Sequence, residues 1–169
     1  MDAFLNETEK KKTNYKGYIL GAVVGLIAMA GIIFIAARRP SMEEQAAAVL
    51  EGAFTEGSPE FDAITKDIII STTDKTIEGQ NAFGSISMFI VGKVKNKGNK
   101  LIDGLEVNVA VIDQFNTPIK EKRVLVVPTQ QAQLGPGETI PITLSIEGFK
   151  KSDDRANIRW KVTAIRIPT

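Results

Sequence analysis

Cysteine and histidine are both absent from the 169 residues. Without cysteine the chain can form no disulfide and offers no thiolate nucleophile or metal ligand. Without histidine it lacks the side chain that most often moves protons or binds metals near neutral pH. A serine nucleophile would then need a lysine as its base, and the sequence contains no Ser-x-x-Lys motif. We therefore predict no catalytic residues, no cofactor and no metal ligands, and a protein that is not an enzyme.

The chain also lacks an excess of charge of either sign. Its 21 Lys and Arg balance 20 Asp and Glu, which leaves a net charge of +1. A protein that binds nucleic acid through bulk charge is far more basic, so we predict no nucleic-acid partner. The acids Asp153 and Asp154, with Asp62 and Asp67 elsewhere, do not have the spacing of a calcium-binding loop. They are predicted to be solvated loop carboxylates.

The sequence does contain one long uncharged segment, Gly17 to Ala37. Its 21 residues would form a helix of about 31 Å, which matches the ~30 Å hydrocarbon core of a bilayer. Ten of them are Leu, Ile, Val or Phe, so insertion into lipid is favourable. We predict a transmembrane helix over residues 17–38. The basic residues that flank it are Lys10, Lys11, Lys12 and Lys16 before it, and Arg38 and Arg39 after it.

Two other interpretations of this segment fit less well. A signal peptide cleaved after Ala28-Met29-Ala30 would leave an apolar terminus, and the apolar run exceeds the ~7 to 15 residues of a signal core. A buried helix of a soluble protein would need an apolar domain of matching size around it. The flanking charge excess lies before the segment, which predicts a cytoplasmic N-terminus. The expected location is the bacterial inner membrane, with the C-terminal domain in the periplasm.

Small residues recur along one face of the predicted span. Gly17, Gly21 and Gly25 repeat every four residues and Ala28 continues the face, so a second helix could approach closely. Glycine is also frequent in membrane helices without a packing role, and that alternative stays open. If the face packs, its partner is another integral membrane subunit or a second copy of the chain.

The residues after the span predict a short acidic helix. Pro40 ends the span, and Ser41 with Glu44 forms a capping box for a helix expected to reach about Phe54. Residues 41–65 contain no Lys or Arg, which argues against a helix lying on anionic lipid. The apolar side either packs on the chain's own domain or docks a partner. The candidate docking side chains are Met42, Val49, Leu50 and Phe54.

From Phe61 onward apolar residues recur with the period of two that is typical of strands. Turn residues separate the segments and no helical pattern lies between them. We predict an antiparallel sandwich over residues 61–169, after a basic tail (1–16), the span (17–38) and a linker (39–60). The predicted strands are Ile64–Ser71, Gly84–Asn96, Leu105–Ile112, Ile119–Val127, Ile140–Ile146 and Ile158–Ala164.

Three motifs of this region resemble a known family. They are Gly92-Lys93-Val94-Lys95-Asn96-Lys97-Gly98, the alternating strand from Leu105 to Asp113, and Leu134-Gly135-Pro136-Gly137-Glu138. Over about Phe61 to Ile167 they are similar to the FxLYD-type family and related uncharacterised bacterial domains that follow a single membrane helix. The resemblance implies an immunoglobulin-like sandwich outside the cytoplasm, and it carries no active site. It departs at the name-giving motif, where Val109-Ala110-Val111-Ile112-Asp113 keeps only the aspartate.

The motif residues have structural explanations of their own. Asn96 and Gly98 supply turn chemistry, Asp113 can cap its own turn, and Gly135-Pro136-Gly137 fixes a tight bend. Trp160 lies among aliphatic residues of the last strand and is predicted to be a core residue.

Lysines recur along and just after the second predicted strand. The favoured interpretation is an edge strand, because lysine discourages an edge from pairing with other chains. A site for an acidic partner is the alternative. The residues of this lysine ribbon are Lys93, Lys95, Lys97 and Lys100.

The span with its small-residue face and the exported interaction module together predict a function. We expect a non-enzymatic, single-pass accessory or assembly subunit of a multi-subunit bacterial membrane complex, such as a respiratory or photosynthetic assembly. Its partners would be the bilayer, other integral membrane subunits and a protein that contacts the exported domain. The alternative is a stand-alone envelope protein that binds an exported ligand or polymer through the loops of the sandwich.

Overall fold

The computed structural model describes residues 15–38, 42–82 and 84–168. The chain divides into two compact units, Met1–Met42 and Glu43–Thr169. The first holds one described helix, α1 (Tyr15–Ala37), and the second holds most of α2 (Met42–Val49), all of α3 (Pro59–Thr65) and the strands. The strands are β1 (Phe54–Thr55), β2 (Ile68–Thr72), β3 (Ile77–Gln80), β4 (Ile86–Asn96), β5 (Gly104–Ile112), β6 (Pro118–Val127), β7 (Thr139–Phe149) and β8 (Asn157–Arg166).

Helix α1 confirms the long apolar helix that the sequence predicts. Its segment Tyr15–Ile35 has a mean hydropathy of 2.6 and none of it is buried. Apolar side chains surround the helix on every side, so it is long and apolar enough to cross a membrane. At its end the guanidinium of Arg38 lies 4.2 Å from the ring centroid of Phe34, one turn back. The predicted flanking residues Lys10, Lys11, Lys12 and Arg39, and the breaker Pro40, lie outside the described residues.

The strands of the second unit form two antiparallel sheets. Sheet A has the order β1-β8-β5-β6. In sheet B, β4 is the central strand, with β7 along one side and β2 and β3 in succession along the other. The longest pairings join β4 to β7, from Ile86–Phe149 to Lys95–Thr139, and β5 to β8, from Gly104–Arg166 to Ile112–Asn157.

One hydrophobic core lies between the two sheets. Every second residue of β4 is buried, and these include Ile86, Met88, Ile90 and Val94, as the period of two predicts. The inward residues of β5 are Leu105, Val107, Val109 and Val111, and all four are fully buried. β7 contributes the facing residues, such as Ile142. The unit is therefore a mainly antiparallel, sandwich-like β domain.

Helix α2 is shorter than the sequence predicts. It ends at Val49, and Gly52 then adopts φ 74°, in the left-handed region that glycine tolerates and that stops a helix. Phe54 was expected on the helix and instead lies in β1, where it pairs with Ile165 of β8. The β domain therefore includes residues before the predicted boundary at 61. The predicted cap residue Ser41 lies outside the described residues.

Helix α3 replaces the first part of a predicted strand. Ser58 accepts a hydrogen bond from the Phe61 backbone N–H at 3.2 Å, and Pro59 takes the first helical position. Phe61 and Ile64 are both buried and lie three residues apart, a spacing that places them on one face of a helix but on opposite faces of a strand. The strand begins only at Ile68. The four-residue strand β3 was also missed, because its sequence Ile-Glu-Gly-Gln has too little periodicity to signal a strand.

Candidate functional site

The two turn motifs of the resemblance meet in space around Asn96. Asn96 is buried, and its backbone N–H donates to Glu138 O while its carbonyl accepts from Gly137 N–H, at 3.0 and 2.8 Å. Its side chain accepts from Gly98 N–H at 2.9 Å and donates to Lys100 O at 2.8 Å. The carboxylate of Glu138 in turn accepts from Gly135 N–H at 2.7 Å. These residues form a structural clasp, which we call the Asn96 clasp, between the β4–β5 and β6–β7 loops.

The aspartates that could suggest cation binding accept hydrogen bonds within the loops. Asp113 Oδ1 accepts from the N–H groups of Phe115 and Thr117 at 2.9 and 2.8 Å, which confirms that it caps its own turn. Asp153 accepts from Lys150 N–H at 2.8 Å, and Asp154 from Gln114 N–H at 3.2 Å. Over residues 15–38, 42–82 and 84–168, no three metal-ligating side chains come together.

Arg155 holds the β7–β8 loop against sheet B. Its guanidinium donates to Glu78 at 3.0 Å and to the carbonyl oxygens of Lys150 and Asp153, both at 2.9 Å. The hydrogen bond to Glu78 raises the pKa of Arg155, because it stabilises the charged guanidinium. The contact is structural, since it fixes a loop end and one edge of β3.

The lysine ribbon does not lie on an edge strand. Lys93, Lys95 and Lys97 are exposed on or just after β4, which is paired on both sides. The edge-protection interpretation is therefore wrong, because β4 has no free edge to protect. The ribbon is the solvated face of a central strand, where alternate residues point away from the core.

Trp160 lies in a cleft between β2 and β8. The side chain packs against the core while remaining partly exposed, and its Nε1 donates to Thr72 Oγ1 at 2.8 Å. A Cβ on Gly92 would lie 2.7 Å from the Trp160 ring, so only glycine fits beside it. The cleft has a volume of about 490 Å³. It is lined by Phe61, Thr65, Ile68, Ile69, Ile70, Trp160, Lys161 and Val162.

The end of α2 is bound to the β domain by Arg166. This arginine forms a two-bond contact with the Asp103 carboxylate, at 3.0 and 3.2 Å, and donates to the carbonyl of Val49. Leu50 lies 3.5 Å from the position of a Cβ on Gly104. Phe54 packs against the core. These contacts favour the spacer interpretation at this end of α2, while the docking role of Met42, Val49 and Leu50 stays a prediction.

Replacing Arg166 with alanine is expected to free residues 43–53 locally. The loss of three charge-assisted hydrogen bonds, from an arginine about three-quarters buried, costs about 1 to 2 kcal/mol. Because Glu51 lies in this segment, a protease specific for glutamate should cut after it several times faster. The control is Arg159→Ala, which removes only weak contacts to Asn116 at 3.3 and 3.4 Å. Equal cleavage rates in both variants would show that Arg166 does not hold α2.

The small-residue face of α1 is uncovered. Gly17, Gly21, Gly25 and Ala28 all lie on the helix, within an arc of roughly 80° at 3.6 residues per turn. Among the described residues of its own unit, no atom outside the helix backbone comes within 4 Å of a Cβ placed on any of the three glycines. That unit therefore supplies no second described helix to pack there.

Comparisons with known proteins identify no family for this chain. No family model matches the sequence, and no curated protein matches it. A matching solved structure is a crystal structure described as that of an ApaA protein from Bordetella pertussis, which is 17% identical, with 60% of this chain and 91% of that chain covered. Its TM-score is 0.37, so the likeness supports no inference about function.

Proposed function

We propose that this protein is a single-pass accessory or assembly subunit of a bacterial membrane complex. The observation that carries the proposal is α1, a 23-residue apolar helix whose small-residue face is uncovered. In lipid the hydrophobic effect does not drive helices together, so close backbone packing at small residues is a main source of association. The partner would be another integral membrane subunit, in an assembly of the respiratory or photosynthetic kind. The N-terminus lies in the cytoplasm and the β domain in the periplasm.

We also propose that the β domain has an immunoglobulin-like fold. In that fold the second and fifth strands pair in one sheet, and the third and sixth pair in the other. The pairings of β4 with β7 and of β5 with β8 follow this scheme once the two-residue β1 is left out of the count and β2 and β3 are taken as a single interrupted first strand. Such domains commonly serve as interaction modules, which supports a protein partner for the exported part.

Replacing Gly21 and Gly25 with isoleucine should release the protein from its complex. The two branched side chains would hold a neighbouring helix backbone away and remove the close contact. After extraction in a mild detergent, native electrophoresis should show the wild type in a large complex. We expect at least a tenfold loss of the variant from that complex, because a few kcal/mol of helix packing sets its affinity.

The control is Val23→Ile with Ala30→Ile, which adds apolar bulk to the opposite face of the helix. This variant should stay in the complex. If the glycine variant co-purifies with the complex as the wild type does, the small-residue face of α1 does not hold the protein there. A wild-type protein that migrates only as a monomer or homodimer would overturn the subunit proposal itself.

A further inference from the structure

The outer edge of β7 is closed by the protein itself. Thr143 donates to and accepts from the side-chain amide of Gln130, at 2.8 and 2.9 Å, so its backbone groups point away from β4. Pro141 and Ser145 share this orientation, because it repeats every second residue. Pro141 has no N–H to offer, and the carbonyl of Ser145 accepts from Lys122 at 3.0 Å. Three consecutive outward positions are therefore blocked against another strand.

The edge on the opposite side of sheet B is open. Thr73 N–H donates to Val91 O, and Lys97 N–H to Asp67 O, both at 2.8 Å, so the odd-numbered residues of β2 bond to β4. The backbone groups of Ile68, Ile70 and Thr72 therefore point outward. In the parts of the chain that the structure describes, these groups have no hydrogen-bond partner. The strand Ile-Ile-Ile-Ser-Thr also lacks the charge, proline or bulge that usually protects an edge.

The open edge borders an apolar cleft, the one that contains Trp160. Ile68 and Ile70 form one wall, and Trp160 and Val162 of β8 lie across from them. Ile69, on the other face of β2, is 42% exposed. A bare strand edge beside exposed isoleucine and an apolar cleft is a surface that another strand would cover.

We propose that β2 of a second copy of this chain covers this edge. A two-fold axis through Ile70 would place Ile70 against Ile70 and Ile68 against Thr72 of the second copy. In that register every outward N–H and C=O of the three residues finds a partner, which gives six backbone hydrogen bonds. The two sheets would then be continuous, with both Trp160 clefts on the same side of the joined sheet.

The charges of the site favour a second copy over an unrelated peptide. β2 carries no charged residue, so self-pairing brings no like charges together. Among the described residues that line the cleft, the charged one is Lys161, and it is already paired with Glu56 at 2.7 Å. The cleft thus has no free charge with which to select an acidic or basic segment. The inference goes beyond the proposed function and holds whether or not larger subunits are present.

Disulfide cross-linking tests the register, since the chain has no cysteine of its own. Two full-length copies with different tags, one Ile69→Cys and one Ser71→Cys, are co-expressed and oxidised mildly in membranes. The two-fold register places these residues directly opposite each other, at ~4.5 Å between Cα atoms, which suits a disulfide. We expect the mixed dimer at least tenfold above the control pair Ile69→Cys with Lys93→Cys, because Lys93 lies one strand inward.

A yield equal to the control, or an adduct with a different protein instead, would overturn the proposal. A charge series then separates pairing from misfolding. Ile69→Glu with Ser71→Glu places each new carboxylate opposite Lys95 or Lys93 of its own chain, so the fold is favoured while self-pairing is repelled. Co-purification of two such copies should fall at least tenfold, and pairing one acidic copy with a wild-type copy should restore most of it, because β2 of the wild type carries no charge. Co-purification of the two acidic copies at the wild-type level would contradict the proposed edge.

Discussion

Replacing Asn96 with alanine is expected to lower the thermal midpoint of the β domain by about 10 °C. The change removes a buried side chain and leaves the Gly98 N–H and the Lys100 carbonyl without their partner in a partly buried site, which together cost about 3 kcal/mol of unfolding free energy. At the usual sensitivity of a domain of this size, that loss corresponds to a shift of roughly 10 °C. The single tryptophan lies in this domain, so its fluorescence follows the transition in the full-length protein.

The control for this measurement is Asn108→Ala. Asn108 also bonds another side chain, Glu121 at 2.9 Å, but the contact is exposed and its loss should change stability by less than about 1 kcal/mol. Similar midpoints for the Asn96 and Asn108 variants would show that the Asn96 clasp does not stabilise the two loops.

Gly92→Ala is expected to destabilise the β domain by about 2 to 3 kcal/mol, the usual cost of overpacking. The new methyl group would lie 2.7 and 2.8 Å from two atoms of the Trp160 ring and 3.1 Å from the Ser71 carbonyl. The ring must move, and with it the hydrogen bond to Thr72. Urea unfolding followed by circular dichroism measures the loss. The control is Gly79→Ala, because no atom lies within 4 Å of a Cβ at that position.

A double-mutant cycle shows whether the tryptophan ring is the cause. Trp160→Phe removes the part of the ring that the new methyl group would meet, so Gly92→Ala should cost less in that background. We expect a coupling free energy of about 1 kcal/mol or more between the two sites. Additive losses would place the strain elsewhere, at the Ser71 carbonyl.

The strands of the core could be predicted from the sequence because their period is local. β4 and β5 alternate so regularly that the inward residues, Ile90 and Val107 among them, follow from the pattern alone. Helix α3 was missed although its signal was present, since Ser58 and Pro59 are a typical helix start. The residues that follow, Ile64 and the run Ile68-Ile69-Ile70, are β-branched and favour a strand, which obscures the short helix before them.

The order of the strands could not be predicted, and the candidate sites depend on that order. The lysines of β4 are not on an edge because β7 pairs with that strand, and the paired residues of β7 lie 44 to 63 positions further along the chain. The Asn96 clasp joins two turns. In the sequence each turn is explained by its own residues, and the hydrogen bonds between them are seen only in the folded domain. The open edge of β2 is likewise visible only once its neighbour is known.

The position of β8 has a consequence for how the domain is made. It follows all other strands in the chain but lies in the middle of sheet A, between β1 and β5. During synthesis, β5 emerges with one side unpaired, and its partner β8 follows only about 45 residues later. Such a separation slows folding and leaves aggregation-prone intermediates exposed. Because β8, the last strand of the chain, completes the sheet that also contains β1, the domain cannot fold in independent parts. A nascent chain stalled before β8 would expose an unfinished sheet A, with the unpaired edge of β5 open to chaperones.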